Sequence, residues 1–200
     1  MLITPLDIPD AHLIEPRVFS DERGAFLEWF RADRLAETLG RQVPIVQANT
    51  SVSARGVVRG IHFADVPLGQ AKYVTVTRGA IVDYVVDLRV GSPTFGQWQG
   101  VELSADKHHA LFLAEGLGHA FVSLADDTSV SYLVTDVFRP EREHAVHPLD
   151  ADLGLDYRLP AGELILSAKD EAAPSFAQAQ EDGLLPTWQD CQLRYRDLAV

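Results

Sequence analysis

The sequence lacks the features on which several special protein classes depend. Its only cysteine is Cys191, so no disulfide can form within the chain, and we expect a cytoplasmic protein. No apolar run approaches the ~20 residues that a membrane-spanning helix needs. The first ten residues contain no basic leader followed by an apolar stretch. We therefore expect neither a disulfide scaffold nor a membrane protein nor a secreted precursor.

Positive charge is also scarce. The chain has 17 Lys and Arg against 29 Asp and Glu, which gives a net charge of −12, and only three of the cations are lysines. Protein binding to duplex nucleic acid is driven by neutralisation of phosphates, so this charge argues against a nucleic-acid partner. It does not exclude one small anion held in a local basic pocket.

Several catalytic motifs are missing. The sequence contains no Gly-x-Ser-x-Gly nucleophile motif, no P-loop and no glycine fingerprint for dinucleotides. It also contains no His-x-His pair, which a metal-dependent jelly roll would usually show. His144 and His147 have no third ligand at a matching spacing. We therefore predict that the protein has no metal site.

What the sequence does contain is typical of a β-rich globular protein. The 200 residues are 46% hydrophobic, which predicts a single domain over residues 1–200. Helices are indicated over residues 30–39, which end at Gly40, after a capping box at Ser175, and over residues 187–198. Seven short runs between them, rich in β-branched and aromatic residues, predict strands at 57–63, 71–78, 81–89, 97–103, 110–113, 119–124 and 128–135. Many short strands of this kind predict a mainly β sandwich, jelly roll or barrel with a few short helices.

The alternation within these strands places unusual residues on inward faces. Tyr132 shares a face with two valines of its strand, and Lys72 shares a face with Val74 and Val76. A lysine on an apolar face is costly to bury, so it needs an anionic partner or an open cavity. Arg59 also lies in an apolar strand. Such cations inside an acidic protein indicate capture of a small molecule that carries phosphate.

Two histidines, His62 and His119, also lie in apolar strands. Composition alone explains each equally well as a core histidine whose ring is hydrogen-bonded to a main-chain carbonyl. Together with tyrosine, lysine, arginine and aspartate in a β-rich cavity, however, a histidine suits proton transfer on a bound anion. Its ordinary pKa of ~6.5 suits a base near neutrality.

Segments in order along the chain match one known family. They are 19–28 (FSDERGAFLE), 47–49 (QAN), 58–63 (VRGIHF), 70–74 (QAKYV), 87–96 (DLRVGSPTFG), 115–121 (EGLGHAF), Tyr132 and 166–170 (LSAKD). Over nearly its full length the sequence resembles the dTDP-4-dehydrorhamnose 3,5-epimerase family. The resemblance implies a cupin-type jelly roll that works as a homodimer, without a metal or cofactor.

The resemblance also implies roles for individual residues. His62 corresponds to the general base, and Asp170 to the carboxylate that orients it. Tyr132 corresponds to the acid on the opposite face of the sugar, and Lys72 to the residue that stabilises the enolate oxygen. The expected substrate-binding residues are Lys72, with Asp83 and His119 in the sugar pocket, and Arg23, Glu28, Gln47, Asn49, Arg59, Glu143 and Lys169 around the nucleotide and pyrophosphate.

The sequence departs from the family pattern at two positions. Phe63 stands where many members have tyrosine, and Ala48 stands where many have aspartate. Neither residue corresponds to the acid or the base, but either departure can alter the shape of the pocket and the choice of the carbon that is epimerised.

The implied reaction is inversion of carbons 3 and 5 of dTDP-4-keto-6-deoxyglucose in rhamnose-type or antibiotic sugar biosynthesis. Both carbons lie next to the ketone, so loss of either proton gives an enolate on the same oxygen, and no redox cofactor is needed. One alternative is a mono-epimerase acting at carbon 3 or carbon 5 alone. A second is an isomerase or binding module for nucleotide sugars that does not epimerise them. The presence of both His62 and Tyr132 argues against a pure binding module.

Overall fold

The computed structural model describes residues 1–199, whose thirteen strands pair into antiparallel β-sheets. The strands are β1 (Leu2–Pro5), β2 (Ala11–Glu15), β3 (Val18–Asp21), β4 (Gly24–Leu27), β5 (Gln47–Ser53), β6 (Val58–Ala64), β7 (Lys72–Arg78), β8 (Ala80–Asp87), β9 (Trp98–Ser104), β10 (Ala110–Leu113), β11 (Leu117–Ser123), β12 (Thr128–Val134) and β13 (Glu143–Ala145). The helices are α1 (Ala32–Leu39), α2 (Ala168–Glu171), α3 (Phe176–Glu181) and α4 (Trp188–Asp197). None of these helices is long and apolar enough to cross a membrane.

Two sheets face each other and enclose the main core. The first has the order β1-β2-β10-β7-β12-β5, and the second has the order β13-β6-β11-β8-β9. Between them pack apolar side chains such as Val74 and Val130 of the first sheet and Ile81 and Val85 of the second. A second apolar cluster, which includes Tyr157, covers the other face of the second sheet. Strands β8 and β11 of the second sheet are therefore buried on both faces along almost their whole length.

The predicted mainly β fold with short helices is confirmed. All seven predicted strands are present, with bounds shifted by one or two residues at most ends, and the predicted helices correspond to α1, α3 and α4. Ser175 and Thr187 are the N-caps of α3 and α4 and accept hydrogen bonds from main-chain N–H groups. Strands β1 to β5 and β13 and helix α2 were not predicted from the sequence. These elements are short, or, like β5 (QANTSVS), too polar to show the apolar pattern of a strand.

Strands β3 and β4 form a hairpin that pairs with neither large sheet. Phe19 and Phe26 lie on its two strands and are 47% and 67% exposed in the single chain. An isolated two-stranded hairpin is only marginally stable in water.

Candidate active site

A cavity of about 380 Å³, the large cavity of the site, has walls from both sheets. Lys72 and Tyr132 border it from the first sheet, and His62 and Glu143 border it from the second. Lys169, at the start of α2, completes this part of the wall. The inward orientations predicted for Lys72 and Tyr132 are therefore confirmed. Titratable groups that lie far apart in the sequence meet at one opening.

His62 is held by a buried carboxylate. Its Nε2 lies 2.7 Å from Asp170 Oδ1, and Ser167, the N-cap of α2, donates a hydrogen bond from Oγ to Asp170 Oδ2 at 2.9 Å. Burial of Asp170 favours its neutral form, but the hydrogen bonds from His62 and Ser167 outweigh this and lower the pKa of Asp170 below its ordinary value. An ionised carboxylate only accepts hydrogen bonds, so Nε2 carries the hydrogen. The ring nitrogen Nδ1 is then left with a free lone pair.

A bulge in β6 aims two functional side chains the same way. Arg59 pairs with Phe121 of β11 and His62 pairs with His119, so three steps along β6 match two along β11. In a regular strand two residues three positions apart face opposite sides. The extra residue puts Arg59 and His62 on the same face as His119. Gly60 lies in the bulge with a φ of 127°.

Lys72 and Tyr132 occupy neighbouring strands of the first sheet. Lys72 is 8% exposed, and its Nζ donates a hydrogen bond to Gln70 Oε1 at 2.8 Å. Burial lowers the pKa of Lys72, and the negative charges of Glu143 and Glu115 partly oppose this. Burial raises the pKa of Tyr132, so the phenol keeps its proton at neutral pH. The wall thus presents an amine and a phenol from neighbouring strands.

Asp83 and His119 form a second His–carboxylate pair on the inner side of the second sheet. His119 Nε2 lies 2.5 Å from Asp83 Oδ1, and the second oxygen of Asp83 is buried without a partner among residues 1–199. Burial raises the pKa of Asp83, and His119 opposes this. Both residues were predicted to line the sugar pocket, but neither borders the large cavity. His119 does lie opposite His62 in the pairing of β6 with β11.

A second cavity of about 290 Å³ shares His62 and Lys169 with the first. It contains Arg59, whose Nε donates to Ser53 Oγ at 3.2 Å. Arg59 and Lys169 place two cations in one depression beside His62. Such a depression suits a pyrophosphate, because charge-assisted hydrogen bonds to phosphate are among the strongest in proteins.

Other predicted binding residues fall into two groups. Gln47 and Asn49 border the large cavity, and Gln47 Nε2 donates to Asn49 Oδ1 at 2.7 Å. Arg23 lies in the turn of the β3–β4 hairpin and pairs with Asp21, while Glu28 lies just after β4. Neither Arg23 nor Glu28 belongs to either cavity of its own chain. Their hairpin is separate from the two sheets, so it does not bring them to the walls.

Neither of the two departures from the family pattern borders either cavity directly. Phe63 is 1% exposed and belongs to the apolar cluster on the far face of the second sheet. Its ring centroid lies 5.4 Å from that of His144. Ala48 alternates with Gln47 and Asn49 along β5 and therefore faces away from the cavity that they border.

Four residues of the cavity wall were given no role from the sequence: Thr50, Gln70, Phe138 and His144. Gln70 lies two positions before Lys72, in the segment 70–74 that matches the family. Its closeness to Lys72 in that segment was the one sign in the sequence that Gln70 belongs to the site. His144 hydrogen-bonds Asp65 through Nε2 at 2.7 Å. Among residues 1–199 no group of three or more His, Cys, Asp and Glu side chains is arranged to hold a metal ion.

Comparison with known proteins links this geometry to one family. The family model described as dTDP-4-dehydrorhamnose 3,5-epimerase matches residues 5–178. The dTDP-4-dehydrorhamnose 3,5-epimerase of Mycolicibacterium smegmatis is 52% identical over 193 residues, which cover 96% of this chain and 94% of that protein.

Two solved structures are similar along almost the whole chain. The RmlC epimerase of Mycobacterium tuberculosis has a TM-score of 0.96 and 41% identity, covering 99% of this chain and 100% of that one. ChmJ from Streptomyces bikiniensis, described as a 3′-monoepimerase in complex with dTDP-quinovose, has a TM-score of 0.93 and 46% identity, covering 98% of each chain. These similarities confirm the cupin-type fold. The chain belongs to the dTDP-4-dehydrorhamnose 3,5-epimerase family and is an epimerase of dTDP-linked 4-keto deoxysugars.

Proposed function

We propose that this enzyme inverts both carbon 3 and carbon 5 of dTDP-4-keto-6-deoxyglucose. One observation carries the proposal: His62 and Tyr132 border the same cavity from opposite sheets, with the buried Lys72 beside Tyr132. Inversion needs a base on one face of the carbon and an acid on the other. A carbanion next to a ketone also needs a positive charge at the ketone oxygen.

In the proposed mechanism, His62 removes the proton from carbon 3 or carbon 5. The electron pair of that C–H bond moves to the ketone oxygen, and the Lys72 ammonium stabilises the enolate. Tyr132 then gives its proton to the same carbon from the opposite face, the ketone re-forms, and the centre is inverted. The ionised Asp170 stabilises the imidazolium while it carries the proton. Protons exchanged with solvent restore both residues.

Arg59 and Lys169 are proposed to hold the pyrophosphate, since they bring two cations to the depression beside His62. Gln47, Asn49 and Glu143 are proposed to hold the nucleotide, because they border the same opening and offer both donors and acceptors. The complex of the similar ChmJ with dTDP-quinovose supports a dTDP-sugar as the ligand.

Asp83 and His119 are proposed to bound the sugar pocket from the second sheet. His119 lies on the strand next to that of His62, and Asp83 lies on the strand beyond it. We also propose that the reaction needs no metal or cofactor, because the ketone is already present in the substrate. Treatment with a chelator is then expected to leave activity unchanged. Loss of activity that a divalent ion restores would contradict this.

A homodimer is the proposed assembly. The β3–β4 hairpin exposes Phe19 and Phe26, and Arg23 and Glu28 lie away from the cavities of their own chain. Both facts are explained if the hairpin docks on a second copy and brings the two polar residues to that copy's site. Light scattering is expected to give the mass of a dimer, and Phe26→Asp is expected to shift it toward a monomer. A wild-type monomer at assay concentration would contradict the proposal.

The lone, buried Cys191 is consistent with the proposed cytoplasmic location.

Proton NMR in deuterated water tests the reaction directly. With dTDP-4-keto-6-deoxyglucose, the enzyme is expected to introduce deuterium at carbons 3 and 5 and to form product inverted at both. Exchange at carbon 3 alone would support the second candidate function, a 3-mono-epimerase, which the similarity to ChmJ favours. Binding with no exchange at either carbon would instead indicate a protein that does not epimerise this sugar.

A further inference from the structure

Gln70 borders the large cavity and connects the two sheets at Lys72. Its Oε1 accepts a hydrogen bond from Lys72 Nζ at 2.8 Å. Its Nε2 donates to the Asp136 main-chain oxygen at 3.0 Å and to Glu143 Oε1 at 3.2 Å. Lys72 belongs to the first sheet and Glu143 to the second. One amide group therefore holds the Lys72 ammonium at a fixed place relative to both walls of the cavity.

The orientation of this amide follows from the chemistry of its partners. An ammonium group only donates hydrogen bonds, whereas a main-chain carbonyl and an ionised carboxylate only accept them. If the amide of Gln70 were turned over, its NH₂ would face the Lys72 ammonium and its oxygen would face two acceptors. Only the observed orientation satisfies Lys72, Asp136 and Glu143 together.

The bond to Gln70 leaves the charge of Lys72 available. Within residues 1–199 the Lys72 ammonium forms no ion pair, and Gln70 is its one hydrogen-bond partner. Glu143, the carboxylate with the largest electrostatic effect on Lys72, is instead bonded to the other end of the Gln70 amide. A neutral oxygen orients an ammonium without neutralising it. Two of the three N–H donors of Lys72 remain for an incoming oxygen.

We infer that Gln70 is a positioning residue of the reaction: it aims the Lys72 ammonium at the enolate oxygen and keeps Glu143 from pairing with that ammonium. The inference rests on the proposed function, because it requires charge to develop next to Lys72. A group that acts on charge formed only during the reaction changes kcat more than KM.

Two substitutions separate the two parts of this role. Gln70→Met keeps the length of the side chain but removes all three hydrogen bonds. It is expected to lower kcat about 10- to 100-fold, somewhat less than the ~10²–10³-fold loss typical when an oxyanion donor itself is removed. Gln70→Glu keeps an acceptor for Lys72 but adds a negative charge that neutralises it. It is also expected to lower kcat, with little change in KM.

The pH dependence distinguishes positioning from simple structural damage. Lys72 must be charged, so activity falls on the alkaline side as its proton is lost. Gln70→Met frees Glu143 to pair with Lys72, which stabilises the charged form, so this fall is expected to move to higher pH. Gln70→Glu adds a stabilising negative charge, so the fall is expected to move to higher pH. A general loss of structure would not move the alkaline limb of both variants to higher pH.

Steady-state kinetics from pH 6 to 10, with melting temperatures, form the experiment. Gln189→Met on the exposed side of α4 is the matched control and is expected to behave as wild type. Gln47→Met, in the same cavity but not bonded to Lys72, is expected to change KM instead. If Gln70→Met does not fold, Gln70→Glu carries the test alone through its kcat and its alkaline shift.

Two results would overturn the inference while leaving the proposed function intact. One is an active wild type with Gln70 variants whose kcat stays within about twofold of it. The other is a loss of kcat without any movement of the alkaline limb, which indicates structural damage only. A wild-type enzyme that neither exchanges nor inverts would show instead that the proposed function is wrong, and the inference with it.

Discussion

At the scale of the residue, burial separates two histidines that have the same kind of partner. His62 and His119 each hydrogen-bond a carboxylate, but the side chain of His62 is 35% exposed and that of His119 is 10% exposed. The partner of His62 is Asp170, whose pKa is lowered despite burial, whereas burial raises the pKa of Asp83 beside His119. A general base must reach the proton that it removes. His62 meets this requirement and has an ionised partner to stabilise its protonated form.

Replacing His62 tests whether it is the base. His62→Asn keeps a hydrogen-bonding amide but cannot take up a proton near neutral pH. Since a general base is typically worth about 10²–10⁴-fold, deuterium exchange at both carbons is expected to fall by at least the lower figure. Calorimetry is expected to show nearly normal dTDP binding, and the melting temperature is expected to stay within a few degrees. Asp170→Asn is expected to give a milder loss. Exchange above about a tenth of wild type in His62→Asn would mean that another residue is the base.

Tyr132→Phe tests the acid. Without the phenol, His62 can still remove a proton and return one to the same face of the sugar. Deuterium from solvent is therefore expected to enter at carbon 3 or 5 while the yield of inverted product falls, both followed by proton NMR. An equal loss of exchange and inversion would show that Tyr132 does more than supply the acid.

At the scale of the element, the bulge in β6 decides how the site is assembled. A Cβ atom added at Gly60 would lie 2.6 Å from the His119 main-chain oxygen and 2.5 Å from the Cβ of Ala120. Gly60 also has a φ of 127°, a backbone conformation that residues other than glycine rarely adopt. The absence of a side chain thus lets β6 approach β11 closely. This approach keeps Arg59 and His62 on one face.

Gly60→Ala is accordingly expected to be severe. The strained φ and the contact with main-chain atoms are expected to cost roughly 2–4 kcal/mol in the free energy of unfolding, measured by denaturant titration. Activity is expected to fall by more than the loss of folded protein explains, because Arg59 and His62 shift together. Gly162→Ala is the matched control, since a Cβ there meets nothing within 4 Å. Equal stability of the two variants would contradict this account of the bulge.

At the scale of the whole molecule, Arg89 connects the two ends of the chain to the second sheet. It is 0% exposed, donates from Nε to Asp87 Oδ1 at 2.8 Å, and donates from Nη1 to Asp10 Oδ2 at 2.9 Å. Its guanidinium carbon lies 4.5 Å from the ring centroid of Trp188 in α4. A buried arginine is tolerated only with such partners, so this network fixes α4 and the N-terminal segment together.

Asp87→Asn is expected to destabilise the protein by about 3 kcal/mol, because it removes one of the two carboxylates that pair with Arg89. Burial of Asp87 favours its neutral form, but Arg89, Ser92 and Thr94 outweigh this and lower its pKa. A lowered folded-state pKa gives stability that is complete above the unfolded value of ~3.9 and is lost as pH falls through the folded value. Thermal unfolding below about pH 4 is therefore expected to depend less steeply on pH in the variant. Asp152→Asn, at an exposed position, is the control. If the melting temperature of Asp87→Asn depends on pH as steeply as that of this control, the prediction is wrong.

The sequence by itself determined the fold class, seven of the thirteen strands and the inward-facing pair Lys72 and Tyr132. Each of these follows from local periodicity: valines on alternate positions fix which face of a strand is buried, and a polar residue among them is carried to the same face. The family also followed from the sequence, because its motifs are contiguous segments.

Only the tertiary structure decided which residues meet. Asp170 is 108 positions from His62 in the sequence. Their hydrogen bond depends on the short helix α2 and its N-cap Ser167, and this helix was not predicted from the sequence. Strict alternation places Arg59 opposite His62, and the bulge in β6 reverses this. The bond from Gln70 to Glu143 joins two sheets across 73 positions. Local pattern cannot specify contacts of this kind, because they depend on how separate elements pack and on where the register shifts.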